Sequence, residues 1–193
     1  MKVVGLTLYG GCLCQAIRFA ICQEPLPAVC CHCRGCQQAH AAPYAALALI
    51  PPGGVVLTEG TPMRHDAVAD SGEATFREFC GFCGTQLFSG GADFSEFRAV
   101  KLLALDDPTS ITPVAHVWAK RAVPWCSLSD GLPPYDDQPG VEELQRLWAL
   151  AKPGARITSG CSCHPTARRH RFVVPSGDGL CAPTLTGSAV GRS

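Results

Sequence analysis

Grouped cysteines constrain the fold of this 193-residue chain more than any other feature. Seven of its 13 cysteines fall into three short groups, in the segments GGCLCQ, CHCRGC and EFCGFCGTQLF. The groups supply Cys12 and Cys14, then Cys31, Cys33 and Cys36, then Cys80 and Cys83. Short spacings of this kind are typical of metal sites, and an odd number of cysteines cannot all pair within one chain. The pattern therefore predicts bound metal rather than a disulfide framework.

The spacing also predicts two different kinds of metal site. In an extended segment residues i and i+2 face the same way, so each C-x-C pair offers two sulfurs on one side, and a tight turn does the same for C-x-x-C. Zn²⁺ prefers four ligands in a tetrahedron and accepts four thiolates. Two pairs would fill one closed structural site, and the remaining three cysteines would leave a position open for water or substrate. Spacing alone leaves open which pairs share an ion, and a single C-x-x-C also occurs in redox motifs.

Composition and turn residues favour β structure. The chain has 20 Gly, 16 Pro and only 17% charged residues, and turn-rich clusters separate its short apolar runs. Residues 15–21 alternate between apolar and other side chains, and residues 44–50 are apolar on both sides, as in a buried strand. Further strands are predicted at 55–58, 63–67, 75–79, 86–89, 100–104 and 115–118. The expected fold class is mainly β, with small antiparallel sheets.

One helix and one tail are expected after the sheets. Apolar residues on one face and acidic residues in the first turn predict a helix over 140–154. Residues 155–193 carry five Arg against a single acidic residue and have no sustained period, which is typical of disorder. Short segments of this tail, CSCH and RRHR, imitate a metal site and an anion-binding patch, but we interpret them as parts of an unstructured extension. The predicted division is a zinc-binding β domain at 1–139, a helix at 140–154 and a disordered basic tail at 155–193.

Charge and hydropathy bear on location and partners. The formal net charge is zero, so neither nucleic acid nor an anionic membrane is expected as the main partner. No segment approaches the roughly 20 apolar residues of a membrane span, and the amino terminus lacks the pattern of a secretory signal. We therefore expect a cytoplasmic protein whose thiols stay reduced.

Several motifs together resemble those of the glutathione-dependent formaldehyde-activating enzyme family, which includes centromere protein V. The resemblance rests on GGCLCQAIRF at 10–19, CHCRGC at 31–36, FCGFCGTQLF at 79–88, His116-Val117-Trp118 and Pro124-Trp125. It implies a β-tent, a compact arrangement of small antiparallel sheets around a structural zinc. It also implies that Cys12, Cys14, Cys80 and Cys83 bind that zinc, and that Cys31, Cys33 and Cys36 bind a second, reactive zinc. Cys30 and the basic tail have no counterpart in the motifs.

The resemblance implies a carbon–sulfur lyase that acts on the adduct of glutathione with formaldehyde, S-hydroxymethylglutathione. Three thiolates on Zn²⁺ leave a net negative cluster, so a positive neighbour would assist, and Arg34 inside the motif is the candidate. His32 is expected beside the site or at the surface rather than as a ligand. The alternative is a non-catalytic, zinc-stabilised interaction module of the centromere protein V type. The open three-cysteine site favours the enzyme.

Overall fold

A computed structural model of the chain describes residues 7–69, 72–91 and 97–151, which all fall in one compact unit spanning Met1–Cys161. The strands are β1 (Leu8–Gly11), β2 (Arg18–Ile21), β3 (Ala28–Cys31), β4 (Ala45–Ile50), β5 (Val55–Glu59), β6 (Met63–Val68), β7 (Ala74–Phe79), β8 (Gln86–Gly91), β9 (Arg98–Lys101) and β10 (His116–Val117). The helices are α1 (Arg34–His40) and α2 (Val141–Ala151), with 3₁₀ turns at Leu102–Ala104 and Ala119–Arg121. The mainly β prediction and the late helix are confirmed. The tail at 155–193 lies outside the described residues.

The strands form two sheets. A three-stranded sheet has the order β1-β2-β5, and a seven-stranded sheet has the order β10-β3-β4-β9-β8-β7-β6. The pairings are antiparallel, as expected, with one departure: β10 runs parallel to β3, with His116 opposite Cys30 and Val117 opposite Cys31. This short parallel pair brings a late segment of the chain against the strand that carries Cys31.

Sequence patterns located most strands but not their exact ends. The strand predicted at 100–104 is correct only as far as Lys101, since the next three residues turn into a 3₁₀ helix. β1 and β3 were not predicted, because β1 is short and glycine-rich and β3 ends in Cys30 and Cys31, of which Cys31 was interpreted as a ligand. The apolar run at 44–50 forms β4, which lies between β3 and β9 in the larger sheet.

The cysteine groups are part of the hydrophobic core. Phe19 and Phe88 are fully buried and meet edge to face with 4.9 Å between ring centroids, and they belong to the same apolar cluster as Cys12 and Cys80. Each buried phenylalanine of this kind contributes roughly 1.5–3 kcal/mol. A second apolar cluster contains Cys31 and Cys36. No helix in the described part of the chain is long and apolar enough to span a membrane.

Candidate metal centres

The first and third cysteine groups converge on one point. The sulfurs of Cys12, Cys14, Cys80 and Cys83 all lie within 4.8 Å of one another. The Sγ atoms of Cys12 and Cys14 are 3.5 Å apart, and those of Cys14 and Cys80 are 3.7 Å apart. Four sulfurs at these distances fit the donor set and the coordination number that Zn²⁺ prefers. This set, the four-cysteine cluster, could therefore hold a metal ion.

Tight turns, not extended segments, aim these sulfurs. After β1 the chain turns at Gln15, whose φ of 65° is left-handed, and the amide of Gln15 donates to the carbonyl of Cys12 at 3.0 Å. The expectation that C-x-C lies in an extended segment is wrong here. In the second turn the amide of Gly84, with φ 72°, donates to the carbonyl of Cys80 at 2.9 Å. Glycine adopts this left-handed conformation without a steric penalty.

Hydrogen-bond donors near the four-cysteine cluster lower the pKa of one cysteine more than that of another. Burial opposes ionisation of Cys83, but hydrogen bonds from the hydroxyl and amide of Thr85 outweigh it, and the pKa falls to about 6. At Cys14 the amide of Ala16 favours the thiolate, but burial and the neighbouring thiols outweigh it and raise the pKa to about 12. The four thiols therefore resist ionising together unless a cation compensates their charge.

The middle group forms a separate set, the three-cysteine cluster. Cys31 ends β3, Cys33 precedes α1, and Cys36 lies in the first turn of α1. Their sulfurs all lie within 4.8 Å of one another. Among the described residues, no fourth His, Cys, Asp or Glu ligand atom joins them within that distance. The cluster could hold a metal ion with three protein ligands.

Helix α1 was not predicted, and it is what places Cys36 beside the other two cysteines. The Sγ of Cys33 accepts a hydrogen bond from the amide of Cys36 at 3.4 Å, so a cysteine caps the first turn. The helix ends at Ala41, which adopts the left-handed conformation with φ 47° and donates its amide to the carbonyls of Gln37 and Gln38. C-x-x-C here is a strand-to-helix transition rather than an isolated turn.

A buried and a half-buried cation approach the three-cysteine cluster from other strands. Lys101 of β9 is 4% exposed, and its Nζ donates to the Oγ of Ser89 at 2.7 Å. Arg77 of β7 lies against α1 so closely that a Cβ on Gly35 would overlap its guanidinium. Burial lowers the pKa of Lys101, while the charges of the three cysteines oppose that shift. Neither residue could be predicted from the motifs, because both come from strands far along the chain.

This arrangement of thiols and cations lowers the pKa of Cys36. Hydrogen bonds from the thiols of Cys31 and Cys33 lower the pKa of Cys36 to about 3, and the positive charges of Lys101 and Arg77 act in the same direction. The pKa of Cys31 is raised, because the thiol of Cys31 forms hydrogen bonds with the sulfurs of Cys33 and Cys36 and is buried. Of the three sulfurs, that of Cys36 therefore forms a thiolate most readily.

Arg34, the cation predicted from the motif, lies at the exposed start of α1. Its Nη1 donates to the Oε1 of Gln37 at 3.4 Å. The positive charges that lower the pKa of Cys36 are instead those of Lys101 and Arg77. A role for Arg34 at the site stays a prediction.

The histidine between two of these cysteines is fully buried rather than at the surface. The Nε2 of His32 lies 2.8 Å from the Nδ1 of His116, and the Nε2 of His116 lies 3.0 Å from a carboxylate oxygen of Asp130. His32 and His116 are 0% and 1% exposed. Burial, followed by the charge of His116, lowers the pKa of His32. Sequence analysis identified His32 and His116 within motifs but did not connect them to each other or to Asp130.

His40 also faces the three-cysteine cluster. Its Nδ1 lies 3.0 Å from the carbonyl oxygen of Cys36, which can only accept, so this nitrogen carries the proton. The Nε2 is buried and has no hydrogen-bond partner among the described residues. Burial and the nearby cations Lys101 and Arg77 lower the pKa of His40 to about 4. His40 is therefore a neutral imidazole with a fixed tautomer.

Residues 7–121 match the family described as glutathione-dependent formaldehyde-activating enzyme. The chain belongs to this family. The matched residues include both cysteine clusters, Lys101, Arg77 and the two histidines that contact each other, while α2 follows them. Among solved structures, the chain is similar to the crystal structure of a Rhodobacter sphaeroides protein, with 16% identity, 66% of this chain and 98% of that chain covered, and a TM-score of 0.41. No curated protein matches the chain.

Membership of the glutathione-dependent formaldehyde-activating enzyme family confirms the resemblance seen in the motifs. The family is described as one of enzymes that use glutathione to activate formaldehyde. In this member both sulfur clusters have a donor set that is consistent with zinc.

Proposed function

We propose that the protein is a zinc-dependent carbon–sulfur lyase acting on S-hydroxymethylglutathione or the glutathione adduct of a similar small aldehyde. The observation that carries this proposal is the three-cysteine cluster, whose sulfurs lie within 4.8 Å of one another without a fourth described ligand. An ion held by three protein ligands keeps a coordination position for substrate. The family description supports glutathione as the thiol partner.

The reaction breaks one carbon–sulfur bond. The hydroxyl group of the adduct loses its proton, its oxygen becomes the carbonyl oxygen of formaldehyde, and the bonding electrons leave with the glutathione sulfur as a thiolate. Zinc, when bound by Cys31, Cys33 and Cys36, would supply the positive charge that stabilises this thiolate or polarises the carbonyl in the reverse reaction. A cytoplasmic location, as expected from the sequence, would keep both the cysteines and glutathione reduced.

Lys101 and Arg77 support the same proposal through charge. Three thiolates and one Zn²⁺ give a net charge of −1, which weakens the attraction of the site for another thiolate. Two cations already placed beside Cys36 offset that excess, and Lys101 acts strongly because it is buried. They would perform the role that the sequence analysis gave to Arg34.

We also propose that the four-cysteine cluster binds zinc as a purely structural site. Its four sulfurs complete a tetrahedral set, which leaves no position for substrate. The cluster joins the turn after β1 to the turn between β7 and β8, and these strands belong to different sheets. Such a site contributes to folding rather than to the reaction.

The test measures the exchange of ¹³C-formaldehyde hydrate with S-hydroxymethylglutathione by NMR, against the uncatalysed rate in the same buffer. We expect the zinc-loaded protein to accelerate exchange and Cys33→Ser to lose that acceleration by at least about 100-fold, in the range of lost electrostatic stabilisation. The matched control is Cys22→Ser, because Cys22 is an exposed free cysteine outside both clusters. Exchange at the background rate with the wild-type protein would contradict the proposal and favour the non-catalytic module of the centromere protein V type.

A further inference from the structure

A chain of three side chains runs from the surface to the segment that carries the three-cysteine cluster. Asp130, with its side chain 50% exposed, contacts the Nε2 of His116, and the Nδ1 of His116 contacts the Nε2 of His32. Both imidazoles are buried, and the ring of Tyr44 packs 5.1 Å from that of His32. Nothing in the proposed reaction uses these groups.

The chemistry of Asp130 fixes the direction of the first hydrogen bond in this chain. A carboxylate can only accept, so the Nε2 of His116 carries a proton and donates to it. The Nδ1 of His116 and the Nε2 of His32 then share one hydrogen bond across 2.8 Å. The amide of Leu132 also donates to Asp130 at 3.1 Å and holds its pKa below the usual range, which keeps the carboxylate ionised.

His32 connects these hydrogen-bonded side chains to the two cysteines beside it in the chain. It lies between Cys31 and Cys33 in the chain, and its own amide donates to the carbonyl of Val117 at 2.9 Å. Its backbone and its ring are therefore both attached to β10, which pairs with β3 through only two residues. A ring fixed at Nε2 fixes the peptide units on either side of it, and these units orient the Cys31 and Cys33 sulfurs.

We propose that His116 and Asp130 are positioning residues that orient His32 and thereby set the geometry of Cys31 and Cys33 for metal binding. The inference rests on metal binding by the three-cysteine cluster, as in the proposed function, but not on the lyase reaction. Residues that orient a ligand from outside the coordination shell commonly change metal affinity by about 10–100-fold. His32 acts here through its backbone rather than as a ligand.

The experiment titrates zinc from the full-length protein with a chromogenic chelator and resolves the two clusters. Cys33→Ser identifies the zinc that belongs to the three-cysteine cluster, and the four-cysteine zinc in the same sample reports that the fold is intact. We expect Asp130→Ala and His116→Phe to weaken zinc binding at the three-cysteine cluster by about 10-fold and to leave the other zinc unchanged. Asp130→Asn should restore most of that affinity, because its amide oxygen still accepts from His116.

The matched control is Asp137→Ala. Asp137 is also an exposed aspartate in the segment between β10 and α2, but its carboxylate pairs with Lys120 at 2.5 Å. The Asp137→Ala variant should leave the zinc affinities of both clusters unchanged. Wild-type affinity at the three-cysteine cluster in folded Asp130→Ala would overturn the proposal, as would the absence of zinc that depends on Cys33. If zinc binding responds as expected but formaldehyde exchange stays at background, the lyase proposal fails and the positioning role stands.

Discussion

Lys101 and Arg77 bring two positive charges to a group of thiols from which they are distant in sequence. Lys101 is almost completely buried, and a charged ammonium in such a place is unfavourable unless nearby negative charge compensates it. The three-cysteine cluster provides that compensation, because the charges of Cys36, Cys31 and Cys33 all oppose the loss of the Lys101 proton. The Lys101 ammonium and the thiolate charge thus stabilise each other in the interior.

Replacing Lys101 by methionine tests this mutual dependence. Loss of one opposite charge close to a thiolate raises its pKa, commonly by 1–3 units, so we expect the pKa of Cys36 to rise by about 1 unit or more. The measurement is the thiolate absorbance near 240 nm of the metal-free protein as a function of pH. Lys101→Arg keeps the charge and should titrate like the wild type. Identical titration curves for Lys101→Met and wild type would show that Lys101 does not act on the cluster.

The sequence was sufficient to identify the seven sulfurs but not the groups that act on them. Cys spacing follows from local chain geometry, so short motifs reveal it. Lys101, Arg77 and Asp130 act through space from separate segments, and each is an ordinary charged residue in sequence. The contribution of Lys101 and Arg77 depends on sheet order, in particular on β4 pairing with both β3 and β9, which no local pattern encodes.

At the scale of elements, α1 shows why a short helix within a ligand motif escapes sequence analysis. It has seven residues, fewer than the number from which a helical period can be recognised. Its first turn is capped by the sulfur of Cys33 rather than by Ser, Thr, Asp or Asn, which are the usual signals. Helix α2, by contrast, has an acidic first turn and a buried Leu144, and these features made it predictable.

A carboxylate of α2 adds a polar contact to the packing of the buried Leu144. The hydroxyl of Tyr135 donates to Glu143 at 2.6 Å, and Arg146 donates to both of its oxygens at 2.7 Å. Hydrogen bonds from Arg146 and then Tyr135 lower the pKa of Glu143 to about 2. Glu143 thereby connects α2 to the segment that follows β10.

This depressed pKa predicts a defined pH dependence of stability. The folded pKa lies below the ordinary glutamate value of about 4.3, so its stabilisation is fully present above pH 4.3 and is lost as the pH falls toward 2. Glu143→Gln should therefore lower the free energy of unfolding at pH 7 and have progressively less effect between pH 4.3 and 2. Urea unfolding across this range measures it. Glu142→Gln is the control, and an equal, pH-independent effect of both variants would contradict the prediction.

At the scale of the whole molecule, the four-cysteine cluster joins two sheets that do not share a strand. The three-stranded sheet supplies Cys12 and Cys14 from the turn between β1 and β2, and the seven-stranded sheet supplies Cys80 and Cys83. Phe19 and Phe88 pack between the same two sheets. Zinc at this position would hold together the surfaces that these aromatic residues bury, so metal binding and core packing should be lost together.

This coupling makes thermal stability depend on zinc. At a free zinc concentration about 1,000 times the dissociation constant, binding to the folded state alone adds about 4 kcal/mol, which corresponds to roughly 10 °C in Tm for a chain of this size. We expect chelation to lower Tm by about that amount in circular-dichroism melts at fixed protein concentration. In a Cys33→Ser background, which removes the zinc of the three-cysteine cluster, Cys80→Ser should melt at the chelated value whether or not zinc is present, since Cys80 is fully buried and its loss opens the tetrahedral set. Cys22→Ser should keep the full response to zinc, and a zinc-dependent Tm that survives Cys80→Ser would mean that the four-cysteine cluster does not hold the sheets together.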